Sequence, residues 1–258
     1  GAIIREEFGS RQVRTIRPSD VKSWTARLQG EYSTSYVYAL HSRLSQVLAD
    51  AVHDGILTRN PCSRRTSPPA APQRPYVATT AQVWALHDAL PPGYKNLLLL
   101  GAFAGLRIGE IAALEVDDVD WDKGIITPEH QHDEEALKSE ESGKPIPIPL
   151  ELAQMLREDA GEQMVVPGVF GRGVSAYQLN RVWIEARGKV PELPEGFRTH
   201  DLRHYFASML IAAGLDVKVV QARMRHASAT VTLNTYGHLW PDTDDSSRAA
   251  VAAVLRSR

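Results

Sequence analysis

The sequence of 258 residues has little sulfur chemistry and no long apolar run, with Cys62 as its single cysteine. One cysteine excludes an intramolecular disulfide and any zinc site built on several cysteines, which fits a reducing compartment. Because no apolar run approaches the length of a membrane span, we predict no membrane partner. The first residues lack the features of a signal peptide and no initiator Met is present, so we expect a fragment or a processed chain.

The chain also lacks an excess of basic charge. Its net charge of −2 argues against a uniformly basic nucleic-acid binder, although binding uses one face of a molecule. The basic part is the N-terminal third, because residues 1–78 contain 11 Lys and Arg against 6 Asp and Glu. Acidic residues cluster in 115–122 and 129–135, where we expect them to line a rim away from a positive cleft.

Four prolines in residues 63–80 interrupt any helix and indicate a domain boundary. With 43% hydrophobic residues the chain can bury a core in one large or two modest domains. We therefore predict a partial helical DNA-binding domain over 1–64, a linker over 65–78 and a catalytic domain with a C-terminal helix over 79–258.

Apolar periodicity predicts a mainly α protein with a small antiparallel sheet, in the α+β class. In the first domain, residues 34–57 repeat apolar side chains at helical spacing after Ser33 as N-cap, and a second helix is predicted in 17–29. In the second domain, two short strands of a hairpin are predicted in 122–129 and 143–150. The remaining predicted helices lie in 79–90, 94–114, 151–159, 175–188, 199–214, 216–226 and 246–257.

Two basic residues stand out near these elements. Arg107 follows an almost entirely apolar helix and lies between Gly105 and Gly109, which allow a ligand to approach the backbone closely. The alternative is an ordinary ion pair between Arg107 and Glu110 at i,i+3. Lys138 lies between the two predicted strands, where most lysines are simply solvated.

The stretch THDLRHYFAS places His200 and Arg203 on one face of a helix that Thr199 is expected to cap. His200 and His204 at i,i+4 offer a metal pair as an alternative. That alternative is weak, because no Glu follows His200 as in zinc proteases and no third ligand is indicated.

The stretch RHASATVTLNTYGHL places His226 ten residues before Tyr236. Taken alone, each has an ordinary structural interpretation, as a core histidine and as a tyrosine that buries its ring and hydrates its hydroxyl. Together with the other four residues they suit phosphoryl transfer. Arginines bind phosphate oxygens and stabilise negative charge, a lysine protonates the leaving oxygen, and a tyrosine attacks once its phenol is assisted.

The order and spacing of these motifs resemble the tyrosine recombinases, most closely the phage-type integrases, over essentially the whole chain. AGLRIGEIAAL is similar to the family's first arginine motif, LKSEESGKPIPIP to its lysine hairpin, HDLRH to its His-x-x-Arg motif, and RHASATVTLNTYGHL to its closing motif. The resemblance implies catalytic roles for six residues, with Glu110 supporting the first arginine. They are Arg107, Lys138, His200, Arg203, His226 and Tyr236.

The chain departs from the family pattern in two places. The family usually has Gly immediately before the last histidine, where this chain has Arg225, so the local turn or a phosphate contact is expected to differ. The acidic stretch 129–135 is also heavier than expected beside DNA. The N-terminal region resembles the helical core-binding domain from its middle onward, which implies that the first helix and any further N-terminal DNA-binding domain are missing.

The resemblance implies a site-specific DNA recombinase that acts on double-stranded DNA without a metal or other cofactor. It implies a homotetramer on two DNA sites and allows a monomer in the absence of DNA. Accessory DNA-bending proteins are the further partners that it allows. Two alternatives use the same fold: a type IB topoisomerase, which religates the original strand, and a catalytically silent DNA-binding protein. A metal hydrolase built on His200 and His204 is a more distant alternative.

Overall fold

The chain divides into two compact units, Gly1–Gln73 and Arg74–Arg258. A computed structural model describes residues 2–69, 75–130, 143–171, 173–240 and 252–256. Thr66 and Ala78, which both fall in the predicted linker over 65–78, are buried in the first and the second unit respectively. Within the described part of the chain, none of the helices is long and apolar enough to cross a membrane.

Over residues 2–69 the first unit has three α-helices, α1 (Ala2–Phe8), α2 (Pro18–Leu28) and α3 (Thr34–His53). The helix α1 was not predicted, and α3 begins at the predicted residue after Ser33 but ends four residues earlier than expected. The core forms around Trp24, whose ring meets the Phe8 ring edge to face at 5.2 Å. The 63–69 segment closes this unit, because the Thr66 hydroxyl lies 2.9 Å from Nε2 of the buried His41.

The second unit is helical with a small sheet, which confirms the predicted fold class. Its helices are α4 (Thr80–Ala89), α5 (Lys95–Phe103), α6 (Ile108–Ala113), α7 (Leu150–Asp159), α8 (Ala176–Arg187), α9 (Asp201–Ala212), α10 (Val217–Arg223) and α11 (Ala229–Tyr236). The helix α11 was not predicted. Residues 252–256, within the predicted C-terminal helix over 246–257, are helical.

Among the residues that the structure describes, the sheet has three strands, where the sequence predicted two. The strands are β1 (Val119–Asp120), β2 (Ile125–Ile126) and β3 (Ile146–Pro147), and they pair antiparallel in the order β1-β2-β3. The expected hairpin is the β2-β3 pair, with Ile126 opposite Ile146. The extra strand β1 lies in the acidic stretch 115–122, in which Val119 is the one buried residue.

The helix α5 lies at the centre of the second unit and packs against α4, α6, α7 and α9. It is buried on every side from Asn96 to Ala102, which explains its nearly unbroken apolar sequence. Its contact with α9 requires glycine at two positions. A Cβ atom at Gly101 would lie 2.8 Å from Leu202, and one at Gly105 would lie 2.6 Å from the Phe206 ring. These glycines therefore set how closely α9 approaches α5.

Candidate active site

The first arginine motif sits at the break between α5 and α6. Gly105 has a φ of +65°, a conformation that ends a helix at little cost only in glycine. Arg107 then forms the N-cap of α6, and its backbone N–H donates to Oε2 of Glu110 at 2.8 Å. The Arg107 guanidinium also donates to Oε1 of Glu110 at 2.9 Å. One carboxylate therefore holds both the backbone and the side chain of Arg107, whose side chain remains 28% exposed.

Arg203 projects from α9 into the interior beside this break and is only 2% exposed. Its Nη1 donates to the carbonyl of Gly105, and its Nη2 donates to the carbonyl of Met224 at 2.8 Å. Burial and the nearby charge of Arg107 lower the pKa of Arg203 to about 9, so the guanidinium stays charged at neutral pH. Arg203 thus joins the first arginine motif to the turn that precedes His226.

The N-terminus of α9 differs from the prediction. His200 itself occupies the N-cap, without a side-chain capping bond, so the expected cap at Thr199 is wrong. The turn is held instead by Asp201, whose carboxylate accepts a hydrogen bond from the Arg198 backbone N–H at 2.6 Å. A carboxylate near the first turn suits the positive end of the helix dipole. The Asp201 carboxylate also lies near the His204 ring.

Tyr236 ends α11 and is 2% exposed. Its hydroxyl lies 2.7 Å from Nδ1 of His204, and Nε2 of His204 lies 3.8 Å from Oδ1 of Asp201. The His226 ring stacks on the Tyr236 ring at 6.5 Å with an interplanar angle of 6°. Burial raises the pKa of Tyr236 to about 12, so the phenol holds its proton at neutral pH. A nucleophile in this setting needs a neighbouring proton acceptor.

Two histidines, His204 and His226, contact the tyrosine ring, and His200 packs against His204. Nδ1 of His226 lies 2.8 Å from the Thr232 hydroxyl, and the His200 and His204 rings meet edge to face at 5.3 Å. Burial, followed by the charges of Arg203 and Arg107, lowers the pKa of His226 to about 4. Partial burial and the charge of Arg203 also lower the pKa of His200. The His200 side chain is more exposed to solvent than that of His226. These histidines are therefore uncharged at neutral pH and available as proton acceptors.

The structure brings together five of the six residues singled out in the sequence: Arg107, His200, Arg203, His226 and Tyr236. Lys138, the sixth, lies outside the described residues. The ion pair between Arg107 and Glu110, first considered as an alternative to a ligand role, is present and leaves the arginine partly exposed. Within the described ranges, no group of three His, Cys, Asp or Glu side chains is placed to hold a metal ion.

Two residues of the site were not assigned a role from the sequence. His204 had been considered only as half of a metal pair, yet its ring contacts the Tyr236 hydroxyl. Arg225 had been noted only as a departure from a glycine, yet its buried guanidinium reaches Glu110. A sequence signal existed for His204, since it lies one helical turn after His200 on the same helix face.

A helical unit that gathers, in chain order, an arginine, a His-x-x-Arg pair, a further histidine and a buried tyrosine has the arrangement of the tyrosine recombinase class. The sequence profile of the phage integrase family matches residues 79–242, well over half of the chain. The chain belongs to the phage integrase family.

Two curated relatives illustrate the sequence similarity. The chain is 29% identical over 184 residues to tyrosine recombinase XerA of Thermococcus kodakarensis, which covers 66% of this chain and 61% of XerA. It is 24% identical over 274 residues to a putative prophage phiRv2 integrase of Mycobacterium tuberculosis, which covers 99% of this chain and 72% of that protein. The chain thus spans less than two thirds of the length of XerA.

Solved structures show the same fold. The Tn1549 transposon integrase in complex with transposon right end DNA matches with a TM-score of 0.76 at 20% identity, over 98% of this chain and 91% of that chain. A lambda integrase tetramer bound to a Holliday junction matches with a TM-score of 0.68 at 19% identity, over 89% and 69% of the two chains. At these identities the likeness concerns the fold alone.

Proposed function

We propose that the chain is a site-specific DNA recombinase that integrates and excises mobile DNA. The observation that carries the proposal is the position of Tyr236, whose hydroxyl lies 2.7 Å from Nδ1 of His204 and whose ring stacks on the His226 ring. This geometry suits a tyrosine that attacks, because a buried phenol with a raised pKa needs a nearby base. Membership of the phage integrase family supports the same reaction class.

In the proposed first step, the Tyr236 oxygen attacks the scissile phosphorus and passes its proton to Nδ1 of His204. The bond between phosphorus and the 5′ oxygen breaks, which leaves a 3′-phosphotyrosine and a 5′ oxygen that Lys138 protonates. The energy of the phosphodiester is conserved in the covalent bond, so the 5′-hydroxyl of a partner strand can reverse the reaction. Two sequential strand exchanges then form and resolve a Holliday junction.

Arg107 and Arg203 are the proposed phosphate clamp. Each guanidinium can donate to the non-bridging oxygens, whose negative charge grows as phosphorus becomes five-coordinate. Arg203 is fixed by two backbone carbonyls, and Arg107 is fixed by Glu110. Donors that are already oriented need little reorganisation when charge develops, which is what makes such a clamp effective.

The proposed partner is double-stranded DNA, bound as a homotetramer on two sites. Solved relatives of the same fold include an integrase bound to transposon end DNA and a lambda integrase tetramer bound to a Holliday junction. The proposed DNA surface of the first unit draws on its excess of basic residues, because residues 1–73 contain 10 Lys and Arg against 6 Asp and Glu. Accessory DNA-bending proteins remain part of the proposal.

Covalent capture tests this function. The protein is incubated with a pool of nicked duplexes of randomised sequence, and denaturing gels separate any protein joined to DNA. The expected result is an adduct whose DNA is attached through Tyr236, identified by peptide mapping. Absence of any adduct would favour the silent DNA-binding protein. With the captured duplex in hand, strand exchange between two sites supports the recombinase, whereas plasmid relaxation without exchange would favour a type IB topoisomerase.

A further inference from the structure

Arg225 has an unusual backbone conformation for its residue type. It follows α10 in the turn before His226, with a φ of +52°, and is the only non-glycine residue with a positive φ in the ranges that the structure describes. A side chain in this left-handed region costs free energy that glycine does not pay. An arginine at such a position calls for a compensating interaction of its side chain.

That interaction is a buried ion pair. The Arg225 side chain is 1% exposed, and its Nη2 lies 2.5 Å from Oε2 of Glu110, whose own side chain is 3% exposed. Burial raises the pKa of Glu110, but the charges of Arg225 and Arg107 and the backbone hydrogen bond outweigh that effect and hold the pKa below its usual value. The carboxylate is therefore ionised, and two arginines share it.

Sharing changes what Glu110 does to Arg107. Oε2 accepts from both Arg225 and the Arg107 backbone, while Oε1 accepts from the Arg107 guanidinium. Because the buried Arg225 holds Oε2, the Glu110 carboxylate is fixed in one orientation and presents Oε1 to the Arg107 guanidinium. Without Arg225 the carboxylate would lose this anchor, and the guanidinium that it orients would be less restrained.

The same turn also touches the second arginine of the clamp. The carbonyl of Met224, the residue before Arg225, accepts from Nη2 of Arg203 at 2.8 Å. His226 follows directly, and its backbone N–H donates to the carbonyl of Gln221 at 3.1 Å. One turn thus joins Arg107 through Glu110, Arg203 through a carbonyl, and His226 through the chain.

We propose that Arg225 is a positioning residue, which fixes Arg107 through Glu110 and holds the turn that carries Met224 and His226 against the clamp. The inference deepens the proposed recombinase function and rests on it. In this chain a buried cation shapes the turn where a glycine would otherwise do so. Removal of that cation should slow the reaction at the phosphate and should remove no contact with the DNA.

Arg225→Gly is the informative variant, because glycine suits the left-handed backbone while the cation is lost. On the captured phosphodiester duplex, its rate of adduct formation should fall by about tenfold or more, part of the loss seen when a preorganised donor is removed outright. On a duplex with a methylphosphonate at the scissile position, which lacks the negative non-bridging oxygen, the gap to the parent should shrink to less than about threefold. Arg225→Lys, which keeps the charge, should recover part of the rate.

A second set of outcomes would overturn the inference. If Arg225→Gly cleaves the phosphodiester duplex as fast as the parent, Arg225 has no role in the reaction. If its rates on the phosphodiester and methylphosphonate duplexes fall by the same factor, the residue serves only folding. If it adds a full further loss to Arg107→Ala in the double variant, it does not act through Arg107.

NMR of the arginine side chains gives a readout that does not depend on cleavage. In the parent without DNA, rotation of the Arg107 guanidinium should be hindered, and in Arg225→Gly it should be fast. Unchanged Arg107 signals would contradict the positioning role. If the Arg107 signals change in Arg225→Gly but the parent forms no adduct with any duplex, the role of Arg225 toward Arg107 is upheld and the recombinase function is refuted.

Discussion

The Tyr236 hydroxyl and Nδ1 of His204 lie 2.7 Å apart although 32 residues separate them in the chain. Helices α9 and α11 each supply one partner, and Asp201, one turn before His204 on α9, faces the other ring nitrogen at 3.8 Å. If Nε2 carries the proton toward Asp201, then Nδ1 accepts from the phenol. The order carboxylate, imidazole, hydroxyl is that of an activated nucleophile.

His204→Asn tests this arrangement. Asparagine places an oxygen near the position of Nδ1 but cannot take up a proton at neutral pH. We expect the rate of adduct formation to fall by about 100-fold, within the usual range for loss of a general base. Its pH profile from 7 to 10 should rise more steeply than that of the parent, because the reaction then depends on the fraction of phenolate. An unchanged rate and profile would assign the base to another residue.

Tyr236→Phe removes only the oxygen that is proposed to attack. We expect no covalent adduct and nearly unchanged affinity for the captured duplex, measured by gel shift. Tyr205→Phe is the matched control, because Tyr205 is also buried in the second unit and its hydroxyl bonds only the Thr80 hydroxyl at 3.0 Å among the contacts described. Residual adduct in Tyr236→Phe would exclude Tyr236 as the nucleophile.

Lys138→Ala separates the proposed acid from the clamp. A substrate with sulfur in the 5′-bridging position releases a thiolate, which leaves without protonation. That substrate should restore cleavage to Lys138→Ala and leave Arg107→Ala slow, since the arginine stabilises charge on the non-bridging oxygens. Restoration of Arg107→Ala alone would mean that the two roles are reversed.

Acid should destabilise the protein through its uncharged histidines. His226 titrates at about 4 when folded, against about 6.5 when unfolded. Between these values the unfolded chain binds more protons, so the free energy of unfolding falls as the pH drops from 6.5 to 4. His226 should contribute roughly 1–2 kcal/mol of this loss after allowance for its partial exposure. Urea unfolding of the parent and His226→Asn at pH 7 and pH 4.5 measures the difference, and equal losses would contradict it.

Binding of DNA should depend steeply on salt despite the net charge of −2. Lys and Arg that contact phosphates release counterions, so log affinity should fall linearly with log salt concentration. Fluorescence anisotropy with a labelled duplex between about 50 and 200 mM salt covers the useful range. A flat response would exclude a phosphate-based clamp.

Local sequence signals predicted elements with strong periodicity and missed those without it. The helix α3 followed from its apolar spacing and Ser33, whereas α11 contains three β-branched Thr among eight residues and has a weak apolar stripe, so it was not predicted. The strand β1 has two residues, too few to show an alternating pattern. Packing against the rest of the unit, rather than propensity, forms these elements.

The site divides in the same way. That Arg107, Arg203 and Tyr236 lie near one another could be expected from the resemblance of their motifs to one family, and their catalytic roles stay predictions. The contacts of His204 with Tyr236 and of Arg225 with Glu110 join residues 32 and 115 positions apart. Only the packing of α6, α9, α10 and α11 brings them together, and no local pattern encodes that. The role of Lys138 stays a prediction.

Substitution of Gly105 is expected to abolish function for a steric reason, whereas substitution of the charged residues removes a functional group. Its missing side chain leaves room for Phe206, while its carbonyl holds Arg203. An alanine there would meet the ring at 2.6 Å, in a backbone conformation with a φ of +65° that side chains disfavour. In a screen of random variants for lost recombination, Gly105 should therefore appear about as often as Arg107. A residue without functional groups would then be as intolerant of change as the guanidinium that is proposed to bind the phosphate.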